Sequence, residues 1–187
     1  EPAPGLGGRS IALPQGKVVG GSSSINGMVY NRGQRADFDV WAQMGNRGWG
    51  FDDLLPYFNR SETRLANGDA PHRGQSGELP ITDIDWFNPL AEAFLDAAAG
   101  LGIPRAADYN CGLQFGSGYF QRYIHKGWRV SSADAFLRPA LRRDRVSLRT
   151  HAHVTGLDMD GTRVTGVTYR DRAGDRKSTR LNSSHRT

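Results

Sequence analysis

One stretch near the start of the sequence constrains the fold most strongly, because two adjacent glycines lead directly into three serines. Residues 16–30 read GKVVGGSSSINGMVY. Glycine adopts positive φ angles without strain and lets the backbone approach a ligand closely. If a helix begins near Ser22 or Ser23, its first N–H groups point at the same place. The pattern predicts a loop that cradles a phosphate or a polar ring, although a Gly/Ser turn without a ligand also fits these residues.

The net charge of +5 suggests a nucleic-acid partner, but its distribution argues against one. Residues 175–187 read DRKSTRLNSSHRT and carry a net charge of +3, whereas the preceding 174 residues carry 20 basic and 18 acidic side chains. A basic face on the body of the protein is therefore weakly supported, and no nucleic-acid partner is expected. Because the terminal segment has almost no apolar residues, we expect 175–187 to be a disordered or non-native tail.

The cysteine count and the hydropathy of the sequence limit the cellular compartment and the kinds of site that we expect. Cys111 is the only cysteine of the sequence, which excludes an internal disulfide and a multi-cysteine metal site. A single cysteine suits a reducing compartment, and we expect a cytoplasmic location. No apolar run reaches the length that spans a bilayer, so no transmembrane segment is expected. We identify no metal-ligating residue.

Helical and extended patterns follow one another irregularly, and no repeat is visible. Apolar spacing predicts helices over 37–44, 53–60, 89–99 and 132–142, with Leu90 and Phe94 on the buried face of the third. The predicted caps are Asp52 for the second helix, Asn88 for the third, and a capping-box-like pair, Ser131 and Asp134, for the fourth. Strands are predicted at 79–82, 119–124, 146–149, 153–159 and 163–169, and a polar loop over 61–78. The fold class is therefore mixed α/β, of the α+β kind.

The spacing of residues 16–39 is similar to a signature of the glucose-methanol-choline (GMC) oxidoreductases, which are FAD-dependent alcohol oxidases and dehydrogenases. The matching positions are Gly16, Gly20, Gly21, Ser22, Ser23, Asn26, Tyr30, Gly33 and Asp39. Further segments, at 39–41, 45–50, 55–58, 131–140 and 154–167, resemble the choline dehydrogenase-like bacterial branch. The resemblance covers about residues 1–174.

The resemblance implies that FAD is the cofactor and that it is bound at particular positions. Those that match residues along the cofactor are Val18, Gly20, Gly21 and Ser22. Those that match the run against the flavin ring are Asn26, Gly27, Met28 and Val29. Val154 matches the residue whose backbone contacts the adenine. Ile25 stands where some family members carry the histidine that attaches FAD covalently, so non-covalent FAD is implied.

The resemblance also implies a division of the chain. Residues 1–40 correspond to a segment of the FAD-binding domain with the GMC signature, and residues 41–140 to a lid and part of the substrate-binding domain. Residues 141–174 correspond to strands that return to the FAD-binding domain. The expected fold is thus a partial FAD-binding domain of GMC type with part of the substrate-binding domain.

Two parts of the family pattern are missing from this sequence. The strand–GxGxxG–helix unit that binds the FAD diphosphate does not occur. The family's catalytic pair, a His with a second His or an Asn, lies near the carboxyl end of the full proteins, and none of the five histidines here matches it. We therefore name no catalytic residue, and we expect an internal fragment that is inactive by itself.

For the full protein, the resemblance implies oxidation of a small-molecule alcohol to an aldehyde, with hydride transfer to flavin N5 and proton transfer to a histidine base. The electron acceptor is then oxygen or a quinone-like molecule. The alternative from another class is a non-enzymatic module whose glycine-serine loop binds phosphate or nucleic acid. The near-neutral body argues against nucleic acid, and so does the lack of aromatic residues alternating with basic ones.

Overall fold

The computed structural model describes residues 4–65, 72–112, 114–143 and 146–180. They belong to two compact units, Glu1–Arg142 and Arg143–Thr187. The helices of the first unit are α1 (Arg35–Gln43), α2 (Phe51–Ser61), α3 (Pro89–Gly100) and α4 (Arg138–Leu141). Its strands are β1 (Val29–Tyr30), β2 (Glu62–Arg64), β3 (Leu79–Ile81), β4 (Gln121–Arg122), β5 (Ile124–His125) and β6 (Trp128–Arg129). Single turns of 3-10 helix occupy Pro4–Leu6 and Gly21–Ser24, and a π-helical turn occupies Ala133–Leu137.

The first two helices pack together through aromatic side chains. Phe38 of α1 contacts Phe58 of α2 with a ring-centroid distance of 5.5 Å, and Phe51 is buried beside them. Both helices confirm the predicted ones, which reflects the apolar residues at helical spacing.

The cap of α2 differs from the prediction. Gly50 is the N-cap, with extended backbone angles, so the assignment of Asp52 as the cap is wrong. Asp52 lies in the first turn and instead accepts two hydrogen bonds from Arg35, at 2.7 and 2.8 Å. An acidic side chain at this position still favours the helix through its dipole.

Helix α3 has the predicted ends but not the predicted buried face. Asn88 Oδ1 accepts a hydrogen bond from the Leu90 N–H at 2.9 Å, which confirms the predicted N-cap. The buried residues of α3 are Leu95 and Ala98, whereas Leu90 and Phe94 are 81% and 69% exposed. The helix is apolar around most of its circumference, so its sequence offers two possible apolar faces. Which one is buried depends on what packs against it.

The strands of the first unit are short and pair in three small sheets. β1 pairs with β4 in antiparallel register, with Tyr30 opposite Gln121. β2 pairs with β3 in parallel register, and β5 with β6 as an antiparallel hairpin. The predicted loop over 61–78 is wrong at Glu62–Arg64, which form β2, and its residues 66–71 lie outside the described part. The predicted strand 119–124 is divided at Tyr123 into β4 and β5.

The second unit is an antiparallel sheet in the order β7 (His153–Asp160), β8 (Arg163–Arg170) and β9 (Arg176–Arg180). β7 and β8 confirm the predicted hairpin, whereas residues 146–149 form no strand. The predicted disorder of 175–187 is wrong for β9, where Thr179 lies opposite Val167. Strand pairing uses backbone groups and does not require apolar side chains, which explains why a polar segment is ordered here. Residues 181–187 lie outside the described part.

Candidate functional site

The glycine-serine loop is a tight turn held by its own backbone. Gly20 has a φ of +94° and opens the 3-10 turn Gly21–Ser24, and Gly21 has a φ of +57°. Gly16 lies so close to this turn that a Cβ on it would stand 2.3 Å from the Gly21 carbonyl oxygen. The expectation of positive φ at the paired glycines is confirmed, and the close approach that glycine allows is between two parts of the loop.

The serine hydroxyls stabilise this turn. Ser23 Oγ and Ser24 Oγ donate to carbonyls of the loop at 2.6 and 3.0 Å. Ser22 Oγ accepts a hydrogen bond from the Gly16 N–H at 3.2 Å. Short hydroxyl side chains favour such local bonds over continuation of a helix. The turn ends after four residues, so the longer helix considered at Ser22 is absent and brings no helix dipole to this place.

A segment 109 residues further along the chain anchors the loop. The Ser132 N–H donates to Ser23 Oγ at 2.9 Å, and Ser132 Oγ donates to the Gly20 carbonyl at 3.1 Å. The predicted capping arrangement is confirmed, since the Ser131 N–H donates to Asp134 Oδ2 at 3.0 Å and the Asp134 N–H donates to Ser131 Oγ at 3.3 Å. Sequence reasoning identified both segments but missed their contact, because no spacing rule connects them.

The next part of the loop, Asn26–Val29, is held by residues around β4 and β6. Asn26 Oδ1 accepts hydrogen bonds from the Met28 N–H at 3.1 Å, from Arg129 Nη1 at 2.9 Å and from the Tyr123 hydroxyl. The Tyr123 N–H also donates to the Met28 carbonyl at 3.3 Å. The sequence analysis assigned no site role to Tyr123 or Arg129, because only the tertiary structure brings them to Asn26.

Exposed apolar side chains surround this loop. Val18, Val19, Ile25 and Val29 are 57%, 44%, 52% and 45% exposed. A Cβ placed on Gly21 or on Gly27 would have no neighbour within 4 Å. Apolar side chains gathered on one exposed loop are typical of a surface that a ligand or partner covers. The combination of an apolar surface, open glycines and the Asn26 amide therefore fits a flat ring with a polar edge, such as a flavin.

Val154 is the one predicted cofactor residue that belongs to the second unit. It lies on β7 opposite Tyr169 of β8 and is 55% exposed. Its backbone is therefore part of the sheet.

Two pockets of the described residues do not coincide with the predicted cofactor segment. One, of about 640 Å³, is lined by residues of 32–39, 109–112 and 114–116, and the other, of about 660 Å³, by residues of 83–95, 105–107 and 117–119. Neither pocket is lined by a residue of the loop 16–29.

A buried ionic cluster, which we call the Glu62 cluster, lies beneath β1 and β4. It consists of Arg32, Glu62, Arg73 and Asp108. Glu62 is fully buried and accepts hydrogen bonds from Arg73 Nε at 2.7 Å and Nη2 at 3.1 Å, and Arg32 Nη2 lies 2.8 Å from its Oε1. Arg73 Nη1 donates to Asp108 Oδ2 at 2.5 Å. The opposite charges are thus fully paired within the core.

The Glu62 cluster is connected to the pair of strands that carries the loop. Arg73 Nη1 donates to Gln121 Oε1 on β4 at 3.0 Å. Asn110 Nδ2 donates to the same Gln121 oxygen at 3.0 Å and to the Tyr30 carbonyl on β1 at 3.3 Å. No local sequence pattern indicates this network, because the polar composition of residues 61–78 predicts a loop.

Because of the Glu62 cluster, we expect the free energy of unfolding to fall in acid. Burial by itself raises the pKa of Glu62, but hydrogen bonds from Arg73 and from the Gly74 N–H, together with the charge of Arg32, lower the pKa of Glu62 overall. The pKa of Asp108 is likewise lowered, against its burial, by the Asn110 N–H and the charge of Arg73. A lowered pKa contributes stability above the ordinary carboxyl pKa of about 4, and this stability is lost as pH falls through the native pKa.

We therefore expect the unfolding midpoint to fall steeply below about pH 4. Thermal unfolding followed by circular dichroism between neutral pH and strong acid measures this dependence. Glu62→Gln should lower the midpoint near neutral pH and flatten its fall in acid, because the wild-type carboxylate also becomes neutral there. An equally steep fall in that variant would assign the acid sensitivity to other carboxylates.

The part of the chain that the structure describes contains no helix long and apolar enough to cross a membrane. Within the same residues, no group of three or more His, Cys, Asp or Glu side chains is arranged to hold a metal ion.

Comparison with known proteins identifies the family. The family model for GMC oxidoreductase matches residues 3–186, which is nearly the whole chain. The chain belongs to the GMC oxidoreductase family. This confirms the resemblance carried by residues 16–39, and the match continues through the strands of the second unit.

Individual GMC proteins agree with this assignment. An oxygen-dependent choline dehydrogenase from Brucella canis is 46% identical over 167 residues, which are 89% of this chain and 30% of the relative. A pyridoxine 4-oxidase from Mesorbium loti has a TM-score of 0.87 and 36% identity over 96% of this chain and 36% of its own. An FAD-dependent oxidoreductase from Chaetomium thermophilum has a TM-score of 0.84 and 29% identity over 98% of this chain and 34% of its own.

The mixed α/β class and the partial FAD-binding domain of GMC type are confirmed. The chain spans about 30% of the length of the curated relatives it matches. The alternative, a non-enzymatic module that binds phosphate or nucleic acid, receives no support from any of these relatives.

Proposed function

We propose that this GMC chain forms part of the FAD site of an oxidoreductase that converts a small primary alcohol to an aldehyde. The observation that carries the proposal is the loop Gly16–Val29, whose own hydrogen bonds close it while its apolar side chains remain exposed. Relatives named a choline dehydrogenase and a pyridoxine 4-oxidase support an alcohol as the substrate class.

In this proposal, each part of the loop has a separate role toward non-covalent FAD. Val18, Gly20, Gly21 and Ser22 lie along the cofactor. Asn26, Gly27, Met28 and Val29 lie against the flavin ring. The backbone of Val154, in the second unit, contacts the adenine. The exposed valines and the open space at Gly21 and Gly27 support the loop assignments.

The remaining assignments follow the family. Residues 1–40 and 141–174 belong to the FAD-binding domain and 41–140 to a lid and the substrate-binding domain; the division of the structure after Arg142 supports the second boundary. Bound FAD supplies the redox chemistry by accepting hydride from the alcohol carbon at N5. The catalytic base lies outside this chain, the electron acceptor is oxygen or a quinone-like molecule, and the location is cytoplasmic.

The test uses the intact protein encoded by the reading frame that contains this chain. We expect it to purify with the visible absorption of oxidised flavin and to release FAD on denaturation. Anaerobic addition of choline, pyridoxine or benzyl alcohol should bleach that absorption for at least one of them. The isolated 187-residue chain should show no alcohol-dependent bleaching. An intact protein that contains no flavin would overturn the proposal.

A further inference from the structure

We propose that Tyr123 and Arg129 are positioning residues that fix the Asn26 side chain so that its Nδ2 group donates a hydrogen bond to the flavin ring. The inference rests on the proposed function, because it requires FAD at this loop. It adds two residues, from β6 and from the segment between β4 and β5, to a site whose proposed flavin-ring contacts otherwise come from the loop alone.

Three donors converge on one atom of Asn26. The Met28 N–H donates to Asn26 Oδ1 at 3.1 Å, Arg129 Nη1 donates at 2.9 Å, and the Tyr123 hydroxyl donates to the same oxygen. An amide oxygen accepts hydrogen bonds and an amide nitrogen only donates them. Three donors around one end therefore identify that end as the oxygen and determine which way the side chain is turned.

The other end of the amide, Nδ2 with its two N–H groups, consequently faces away from these donors. Asn26 is exposed, and within the described part of the chain no acceptor pairs with its Nδ2. The neighbouring exposed residues are apolar, as in Ile25 and Val29. A donor that is held in one orientation at the edge of an apolar surface suits a flat heterocycle with acceptor atoms at its rim.

Both positioning residues are themselves held in place. Tyr123 is 8% exposed, and its carbonyl accepts a hydrogen bond from the Val130 N–H at 3.0 Å. Arg129 Nη1 also donates to the Ser23 carbonyl at 3.1 Å, so one guanidinium connects the turn with Asn26. A side chain held by several partners loses little further entropy when a ligand binds, which is the basis of preorganisation.

The Arg129 charge should also strengthen the Asn26 donor. A cation at the amide oxygen polarises the amide and makes its N–H groups better donors. A flavin ring gains electron density on reduction, so a donor to it forms a stronger bond with the reduced form. The network should therefore raise both FAD affinity and the flavin midpoint potential.

Asn26→Asp in the intact flavoprotein tests the role of the Nδ2 donor without removing the oxygen that holds the loop together. Aspartate keeps an oxygen for the three donors but has no N–H to offer. We expect FAD to bind about tenfold more weakly. The midpoint potential should fall by about 30 mV, because we expect reduced FAD to lose a further factor of ten in affinity relative to oxidised FAD, which corresponds to about 30 mV for a two-electron couple. The unfolding midpoint should not decrease, because Arg129 gains an anionic partner.

Tyr123→Phe and Arg129→Ala test the positioning residues. Each should lower FAD affinity about threefold to tenfold and shift the potential in the same direction as Asn26→Asp. Arg129→Lys keeps a cationic donor and should restore affinity and potential most of the way to wild type. The matched controls are Tyr57→Phe and Arg105→Ala, which alter an exposed tyrosine and an exposed ion-paired arginine away from the loop.

The outcomes distinguish this inference from the proposed function. A wild-type protein without flavin would overturn both. A flavin-containing wild type whose Asn26, Tyr123 and Arg129 variants match the controls in affinity and potential would overturn the inference alone. A loss of FAD affinity without a shift in potential would also overturn it, because a purely structural role of these residues predicts that pattern.

Discussion

Replacing Glu62 by alanine is expected to cost about 3–5 kcal/mol of folding free energy, because it leaves buried cations without their partner. Glu62 is fully buried and accepts hydrogen bonds from Arg73 Nε, Arg73 Nη2 and the Gly74 N–H, with Arg32 at 2.8 Å. The side chains of Arg32 and Arg73 are 3% and 0% exposed, so water cannot readily take the place of the carboxylate. Arg73→Ala should be destabilising by a similar amount, because it leaves the buried Glu62 carboxylate without the guanidinium that donates to it.

Denaturant unfolding of the intact protein, followed by tryptophan fluorescence, measures this loss. Trp41 and Trp49 report on the α1–α2 part of the first unit, since their rings contact each other with centroids 5.7 Å apart. The matched control is Asp52→Ala, which removes the carboxylate of an exposed ion pair with Arg35. That variant should unfold at the wild-type denaturant concentration, because exposed pairs contribute little. Equal effects of the Glu62 and Asp52 variants would contradict the assignment of the cluster as a structural centre.

Gly16→Ala is expected to weaken FAD binding by about tenfold to a hundredfold, because the added methyl group must displace the turn that follows. Its Cβ would lie 2.3 Å from the Gly21 carbonyl oxygen and 2.6 Å from the Gly21 carbonyl carbon, and both are backbone atoms. Overpacking of this kind costs about 1–3 kcal/mol, and 1.4 kcal/mol corresponds to a factor of ten in affinity. The displacement would act on the proposed cofactor site, because Gly21 is one of the residues assigned to it.

FAD titration of the apoprotein, followed by quenching of flavin fluorescence, measures the change. Gly100→Ala is the matched control, because a Cβ there meets nothing within 4 Å and the residue ends α3. It should bind FAD like the wild type and should be no less stable, since alanine is a better helix former than glycine. A Gly16→Ala protein with wild-type FAD affinity would show that the close approach at Gly16 has no bearing on the site.

The features that could be predicted from sequence are those set by neighbouring residues. Positive φ at Gly20 and Gly21 follows from two glycines before a serine run, and the cap at Asn88 follows from an Asn-Pro pair before an apolar segment. The Ser131–Asp134 cap belongs to the same class. Each depends on interactions that span only a few positions, so the residue types and their order are sufficient. The family could be predicted for the same reason, because its signature is one continuous stretch.

The features that could not be predicted depend on residues that meet only in three dimensions. Asn26 and Arg129 are 103 positions apart, and Ser23 and Ser132 are 109 apart, so no local pattern connects them. Glu62 is charged and would be expected at the surface. Its burial is possible because Arg73 and Arg32, from other segments of the chain, pair with its carboxylate. The order of β9 likewise depends on the free edge of β8, and its polar composition does not reveal it.

The sequence by itself determined that a glycine-serine loop with an adjacent Asn-Gly-Met-Val run exists, and that this loop belongs to a GMC oxidoreductase, because both depend on residues that are contiguous in the chain. Only the tertiary structure decided which atoms of that loop remain available to a cofactor. The serine hydroxyls are engaged within the loop and with Ser132, whereas the Asn26 amide is oriented by Tyr123 and Arg129. The physical reason is that a polar group is available to a ligand only if no other group of the protein pairs with it, and the pairing groups here come from distant parts of the chain.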